Sequence, residues 1–396
     1  MTERLALHGG PPVRATLLPY GRQALEEEDV QAVAAVLRSA WLTTGPRVEA
    51  FERAVASVVG AAHAVAVSSG TAALHAAVFA AGITPGDEVI VPPLTFAASA
   101  NAVLYQGGVP VFADVRADTL NLDPAEIEAR LTPRTRGLMP VDFAGQPADL
   151  DEIGALARAR GLMVIEDAAH ALGAEYRGRR VGTLADLTTF SFHPVKQVTT
   201  GEGGLVATAS AETAARLRRF RNHGLETEFR ELAAQGHEYS PMVELGYNYR
   251  LTDLQCALGL SQLARLDQYL KRRAEIAQRY RSELGGLPGL TLPTVAPHVR
   301  HGWHIFPVLL ELPRLSADRR TILAALWAEN IGAAVHYVPV YWHPYYQARG
   351  YRRGLCPRAE SAFERLLTLP LFPAMTERDV DDVLVAVRKV LTHYRR

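Results

Sequence analysis

Ser191-Phe192-His193-Pro194-Val195-Lys196-Gln197-Val198-Thr199-Thr200-Gly201-Glu202-Gly203-Gly204 sets a single lysine behind an aromatic strand end and ahead of a glycine-rich turn. A lysine that holds an aldehyde as a Schiff base needs such a place: a strand end to fix it, surroundings in which its amine can lose a proton, and small neighbours that admit a flat ring. Gly201, Gly203 and Gly204 supply the room, and Lys196 becomes the candidate nucleophile. Read alone, the segment would pass as a solvated loop, the ordinary setting of a lysine.

Upstream, Gly161-Leu162-Met163-Val164-Ile165-Glu166-Asp167-Ala168-Ala169-His170 is an apolar run that ends in an acid. It predicts a buried parallel strand delivering Asp167 at its carboxyl end. Pyridoxal phosphate requires a carboxylate there, because an anion against the ring nitrogen favours the pyridinium and turns the ring into an electron sink. The competing reading makes Asp167 a cap for the helix that follows.

A third segment, His63-Ala64-Val65-Ala66-Val67-Ser68-Ser69-Gly70-Thr71-Ala72-Ala73-Leu74, reads as strand, turn and helix. Its helix N-terminus offers free amides and the Thr71 hydroxyl to a dianion, and Gly70 lets the backbone come close. An ordinary capped helix is the alternative. The segment has neither the Walker spacing with its lysine nor Gly-x-Gly-x-x-Gly, which turns the reading away from a P-loop and from a dinucleotide fold.

These segments resemble the DegT-type (DegT/StrS) sugar-nucleotide aminotransferases, pyridoxal phosphate enzymes of fold type I. The likeness runs from Pro19-Tyr20-Gly21-Arg22-Gln23 through Trp41-Leu42-Thr43-Thr44-Gly45-Pro46, Pro140-Val141-Asp142-Phe143-Ala144-Gly145-Gln146-Pro147 and Gly246-Tyr247-Asn248-Tyr249-Arg250-Leu251-Thr252-Asp253 to Leu369-Pro370-Leu371-Phe372-Pro373, nearly the whole chain. Residues 191–204 and 245–253 look closest to the subgroup that makes UDP-4-amino-4,6-dideoxy-N-acetyl-β-L-altrosamine in pseudaminic acid biosynthesis.

The resemblance implies roles position by position. Lys196 would carry pyridoxal phosphate as a Schiff base, Asp167 would pair with the ring nitrogen, and His170 would lie near the phenolic oxygen. Phe96 matches the aromatic that stacks on the ring; a plain core phenylalanine is its alternative. Gly70, Thr71 and Ser191 match the phosphate cup. Asn248 matches a residue that reaches the phosphate from the neighbouring subunit, which implies a homodimer with shared active sites; by sequence chemistry alone it is a turn residue. Tyr249, Arg250 and His336 are the candidate sugar-binding residues.

The implied reaction moves an amino group from L-glutamate to C4 of a nucleotide-linked 4-keto-6-deoxy sugar. UDP-2-acetamido-2,6-dideoxy-β-L-arabino-hexos-4-ulose is the favoured substrate, with other dTDP-, GDP- or UDP-keto sugars as alternatives. Related dehydratases carry histidine where Lys196 stands, so transamination is favoured over elimination. A pyridoxal-binding regulator without turnover would be expected to carry a DNA-reading module, and no helix-turn-helix with a basic face precedes residue 20.

Composition agrees. Lysine plus arginine and aspartate plus glutamate both number 42, so no global field recruits nucleic acid or an anionic membrane. Arg216-Leu217-Arg218-Arg219-Phe220-Arg221 reads as a solvated helix face. Cys256 and Cys356 stand far apart without ligand spacing, which argues for a reducing compartment and against a disulfide scaffold, a zinc site and a desulfurase. His298, His301 and His304 read as surface histidines, and no metal site is expected. Met1 to Gly10 lack the basic start and apolar stretch of an export signal, and no run is long enough to span a bilayer, so a cytoplasmic enzyme is expected.

Strand-like runs near Val65, Val89, Val111, Leu138 and Val164 alternate with helical stretches near Thr71, Ala98, Pro124 and Asp149. This α/β rhythm predicts a mostly parallel, doubly wound sheet whose ligands sit beyond the carboxyl strand ends. Before it, Glu26 to Arg38 reads as an amphipathic helix, and the turn Trp41 to Pro46 leads to a second helix ending at Gly60. Thr252 to Leu284 reads as one long helix entering a smaller α+β domain, with a strand near Trp303 to Leu310 and a helix near Ala317 to Glu329. The boundary is placed near Leu266, dividing residues 1–265, a large cofactor domain with an N-terminal arm, from residues 266–396. In the smaller part His336, Tyr337, Tyr341, His343 and Tyr345 form an aromatic and imidazole cluster suited to a sugar-nucleotide cleft, a core or a dimer contact.

Overall fold

The computed structural model describes residues 4–226, 232 and 238–396. Its central sheet has seven strands in the spatial order His63–Val67, Gly204–Thr208, Leu187–Ser191, Met163–Asp167, Thr135–Leu138, Glu88–Val91, Val109–Phe112. Gly204–Thr208 alone runs against its neighbours; the other pairings are parallel. Glu88–Val91 and Gly204–Thr208 are buried along their whole length, as a sheet covered on both faces requires. The strand and helix rhythm read from the sequence is therefore the one the chain adopts.

Local chemistry sets the ends. The helix Pro46–Val59 starts on a proline, whose fixed φ suits the first turn, and stops at Gly60 in the left-handed region (φ 75°). The helix Gly70–Ala80 is capped by Ser69, whose hydroxyl accepts from the Ala72 amide (3.1 Å). Two expectations change. Thr252 to Leu284 is two helices, Asp253–Leu263 and Leu266–Leu284. The chain leaves helical geometry at Arg265 (φ −106°, ψ 7°), whose guanidinium turns to the buried Asp29 carboxylate at 2.6 Å. The helix Ala211–Arg221 forms, but its basic run is not a uniformly solvated face. Arg221 is buried against the equally buried Glu52 and donates to Ala66 O (2.8 Å), while Arg216 lies over the Phe79 ring. A buried carboxylate needs its cation, and Glu52 takes Arg221 out of water.

A second core surrounds the antiparallel strands Leu290–Thr291, Phe306–Leu310 and Leu366–Leu369. The expected strand and helix are there as Phe306–Leu310 and Arg319–Ala328. Leu5 and Leu18 from the N-terminal arm pack into this core, whereas Val340, Tyr341, Cys356 and Ala362 pack on the core of the large sheet. Chain thus crosses between the two cores in both directions. No helix among the described residues is long and apolar enough to cross a membrane.

Candidate active site

Three strand ends on one edge of the central sheet make the floor. Asp167 closes the strand Met163–Asp167, Ser191 closes Leu187–Ser191, and Gly70 opens the helix that follows His63–Val67. A Cβ on Gly70 would come within 2.8 Å of the Ser191 Cβ, so this cradle exists because residue 70 has none. Thr71 follows in the first helical turn, where amides have no intrahelical acceptor and an anion is stabilised. The sequence-predicted cup residues are brought together.

Asp167 is buried, and both of its oxygens are oriented: Ser99 Oγ donates to Oδ2 at 2.6 Å and the Ala169 amide to Oδ1 at 3.2 Å. Burial raises its pKa; the Ser99 and Ala169 hydrogen bonds and the Lys196 charge pull the other way. Such a carboxylate gains most from a cationic partner that shares its dry site. Ser99 is held in turn by Thr95 Oγ1 at 2.7 Å. Three residues before it, Phe96 is 62 % exposed, its ring centroid 6.2 Å from that of Tyr337. The core alternative for Phe96 falls; an open aromatic face stands at the site.

Lys196 lies in the turn after Ser191, and its Nζ meets His304 Nε2 at 3.5 Å. Burial brings its pKa down to about 8, Asp167 opposing the shift and Arg273 adding to it. The His304 and His170 rings are 4.3 Å apart, and both are held well below the usual imidazole range by burial and by the Lys196 charge. His170 Nε2 pairs with the Tyr337 hydroxyl at 3.1 Å. His336, lowered to about 4 by burial, pairs through Nδ1 with Thr368 Oγ1 at 3.0 Å and packs on Tyr20. Neutral rings therefore surround one amine.

The surface reading of the three later histidines is corrected here: His304 is buried and none of the three is exposed. Main-chain packing draws them in. The Gly302 amide donates to Gly145 O (2.7 Å) and the His304 amide to Ala144 O (2.9 Å). Gly145 sits at φ 103° with His170 O and Trp303 N each 2.8 Å from any Cβ it might carry, so only glycine lets these segments close beside Lys196. Of the aromatic cluster, His336 and Tyr337 reach the site; Tyr341 is buried and donates to Glu360 (2.6 Å), and Tyr345 is 56 % exposed.

Sequence reasoning missed Ser99, His304 and the buried Arg273. For Lys196 itself composition is a further signal: the chain has three lysines, Lys196, Lys271 and Lys389, and Lys389 is paired with Glu329 at 2.9 Å. Cys256 and Cys356 are buried, and burial pushes the Cys356 thiol up to about 12, which leaves it inert. Among the described residues no group of three or more His, Cys, Asp or Glu is placed to hold a metal.

Asn248 is exposed and bridges Asn222, while Arg250 donates to Asn222 Oδ1 at 2.8 Å. Tyr249 takes the Ser68 amide on its carbonyl (2.8 Å) and turns its hydroxyl to His75 (3.1 Å), a packed position beneath the glycine turn. Within one chain these three flank the cup.

The arrangement fits pyridoxal phosphate on its own terms. A glycine-permitted anion cradle, an oriented buried carboxylate and an amine that loses its proton more readily than a free lysine are the three requirements, and they stand together at this edge of the sheet.

Comparison with known proteins agrees. Residues 23–388 match the DegT/DnrJ/EryC1/StrS aminotransferase family. The chain is 45 % identical over 381 residues to the spore coat polysaccharide biosynthesis protein SpsC of Bacillus subtilis (strain 168), covering 96 % of this chain and 98 % of that protein. It is similar in structure to Helicobacter pylori PseC, an aminotransferase involved in pseudaminic acid biosynthesis (TM-score 0.89, 30 % identity, 96 % and 100 % of the two chains). The putative sugar aminotransferase Spr1654 from Streptococcus pneumoniae in its PMP form is equally similar (TM-score 0.90, 30 % identity, 95 % and 99 %).

Proposed function

This chain belongs to the DegT/DnrJ/EryC1/StrS aminotransferase family, and on that premise we propose that it moves an amino group from L-glutamate to C4 of a nucleotide-linked 4-keto-6-deoxy sugar. The observation that carries the reading is the Lys196 amine, lowered to about 8 in a pocket that also holds Asp167 and two neutral imidazoles. Bound pyridoxal phosphate supplies the electron sink that lets an amino group leave an amino acid and enter a ketone. Gly70, Thr71, Ser191 and the helix N-terminus would bind the phosphate. Asp167, aimed by Ser99, would keep a proton at the ring nitrogen. Phe96 would offer a stacking face, and His170, paired with Tyr337, would lie near the phenolic oxygen. Lys196 Nζ holds the aldehyde and, once displaced, takes and returns a proton in each half of a ping-pong cycle. Burial favours its uncharged form, the only form able to attack or accept.

The favoured substrate is UDP-2-acetamido-2,6-dideoxy-β-L-arabino-hexos-4-ulose. Its support is the run of residues 191–204 and 245–253 and the likeness to PseC. A buried pocket selects one epimer mainly by leaving the polar groups of the wrong one unpaired. Purified enzyme offered UDP-, dTDP- and GDP-linked 4-keto-6-deoxy sugars with glutamate, with products identified by NMR, tests this. Preferred turnover of a dTDP or GDP sugar would leave the aminotransferase standing and remove the substrate.

The working unit of this proposal is a cytoplasmic homodimer, residues 1–265 carrying the cofactor and 266–396 closing over it. Tyr239, Met242 and Leu245 are 75 %, 66 % and 75 % exposed just before Asn248, an apolar strip that a partner subunit would cover. Mixed dimers of Lys196→Ala and Asn248→Ala subunits would hold one intact site and regain activity. No recovery after verified subunit exchange would dismiss the shared site.

A further inference from the structure

Arg273, on the helix Leu266–Leu284, is the largest fully buried side chain among the described residues, 1 % exposed. A guanidinium taken out of water is ordinarily answered by a carboxylate. Here carbonyls answer it. Nη1 donates to Trp303 O (3.2 Å), His304 O (3.1 Å) and Leu371 O (3.1 Å). Nη2 donates to Val195 O and Lys196 O, both at 3.4 Å. No carboxylate of the described residues offsets its charge, and its Nε has no partner.

Those acceptors come from three segments that are remote in sequence. One is the turn that carries Lys196, one carries the imidazole that meets Lys196 Nζ, and one lies in the Leu-Pro-Leu-Phe-Pro run. Only a planar fork with several donors can bind all three at once; an ammonium has neither the reach nor the directions. Burial lowers Arg273 to about 10, which leaves it a cation at neutral pH, and that cation disfavours a second charge on Lys196.

We propose that Arg273 is a positioning residue for Lys196: its guanidinium pins the lysine turn to the His304 segment through their carbonyls and sets a permanent positive charge beside the amine. The proposal rests on Lys196 as the lysine that holds the cofactor. It assigns a role in amine chemistry to a side chain that reaches no substrate.

The test uses wild-type, Arg273→Lys and Arg273→Gln proteins loaded with pyridoxal phosphate. It compares the pH midpoint of the cofactor's visible band, kcat, KM for glutamate, and thermal midpoint. A wild type with no visible band would fail the cofactor reading itself, before any variant is compared. Removing the charge in Arg273→Gln moves the band midpoint up by about half a unit or more, because a nearby cation no longer disfavours the protonated nitrogen. In the same variant kcat falls roughly tenfold while KM for glutamate changes little, as loss of alignment at the reacting group predicts. Arg273→Lys restores the midpoint and only part of kcat, since it keeps the charge and loses the fork. Wild-type midpoint and kcat in Arg273→Gln overturn the proposal, as does a lowered thermal midpoint with nothing else changed. If the glutamine variant does not fold, the lysine variant decides: reduced kcat at the wild-type band midpoint supports the proposal, and full activity or failure to fold overturns it.

Discussion

Asp167, Ser191 and Gly70 stand on one edge of one sheet, each at the end of the strand that carries it or in the turn just beyond, whereas His304 meets Lys196 across 108 residues of sequence. The two regions do opposite things with charge. The floor gathers polar partners that hold anions: donors on Asp167 and a helix N-terminus at Gly70. The wall gathers neutral rings and one carbonyl-bound guanidinium that make a positive amine costly. A cofactor that is negative at its phosphate and positive at its ring nitrogen needs the first; a lysine that must give up a proton needs the second. The comparison assigns different failures to the two regions.

Lys196→Ala removes the group on which both converge. Turnover should fall by about 10⁴-fold or more, as loss of a nucleophile that also moves the proton predicts. Thermal midpoint should hold, because deleting a buried amine costs no core packing. Multiple turnovers by this variant would break the comparison at its root. Asp167→Asn tests the floor: roughly 10²–10³-fold is lost when one preorganised electrostatic partner is removed, while cofactor is retained through the cup. Near-normal rates would take Asp167 out of the chemistry.

His304→Gln tests the wall. The amide keeps a polar group toward Nζ but returns less desolvation, and kcat should drop about tenfold, about the net worth of one neutral hydrogen bond. An unchanged kcat, with pH profile unchanged, would make His304 mere packing. The smallest effect is in pH. Capture of added pyridoxal phosphate by apoprotein needs the neutral amine, so its rate should climb with pH and level off above about 8. An unperturbed lysine would keep climbing towards about 10.4. Continued increase past pH 9.5 or so would show that the wall does not lower Lys196.

The floor was legible because its parts are local. The strand ending in Asp167, the Ser69-Gly70-Thr71 helix start and the turn holding Lys196 each announce themselves by apolar runs, glycines and a cap within a dozen or so residues. The wall was not. Nothing near His304 marks it as buried; Ala144 and Gly145, far upstream, draw it in through main-chain hydrogen bonds that no side-chain pattern records. Arg273 hides for the same reason, an arginine on an amphipathic helix being solvated unless carbonyls from elsewhere arrive. The long helix from Thr252 reads as continuous because Arg265 is an acceptable helix residue; where it breaks, Arg265 pairs with Asp29, in another helix. Exposure of Phe96 followed from no local cue beyond the family likeness.

The central claim is that Lys196, and no other amine, holds the cofactor. Borohydride reduction of the protein loaded with pyridoxal phosphate, followed by peptide mass mapping, tests it with little ambiguity because the chain offers only Lys196, Lys271 and Lys389 as side-chain amines. The yellow colour should bleach and the reduced pyridoxyl adduct should be found on the peptide containing Lys196. An adduct confined to Lys271 or Lys389, or bleaching with no lysine adduct, would contradict the account.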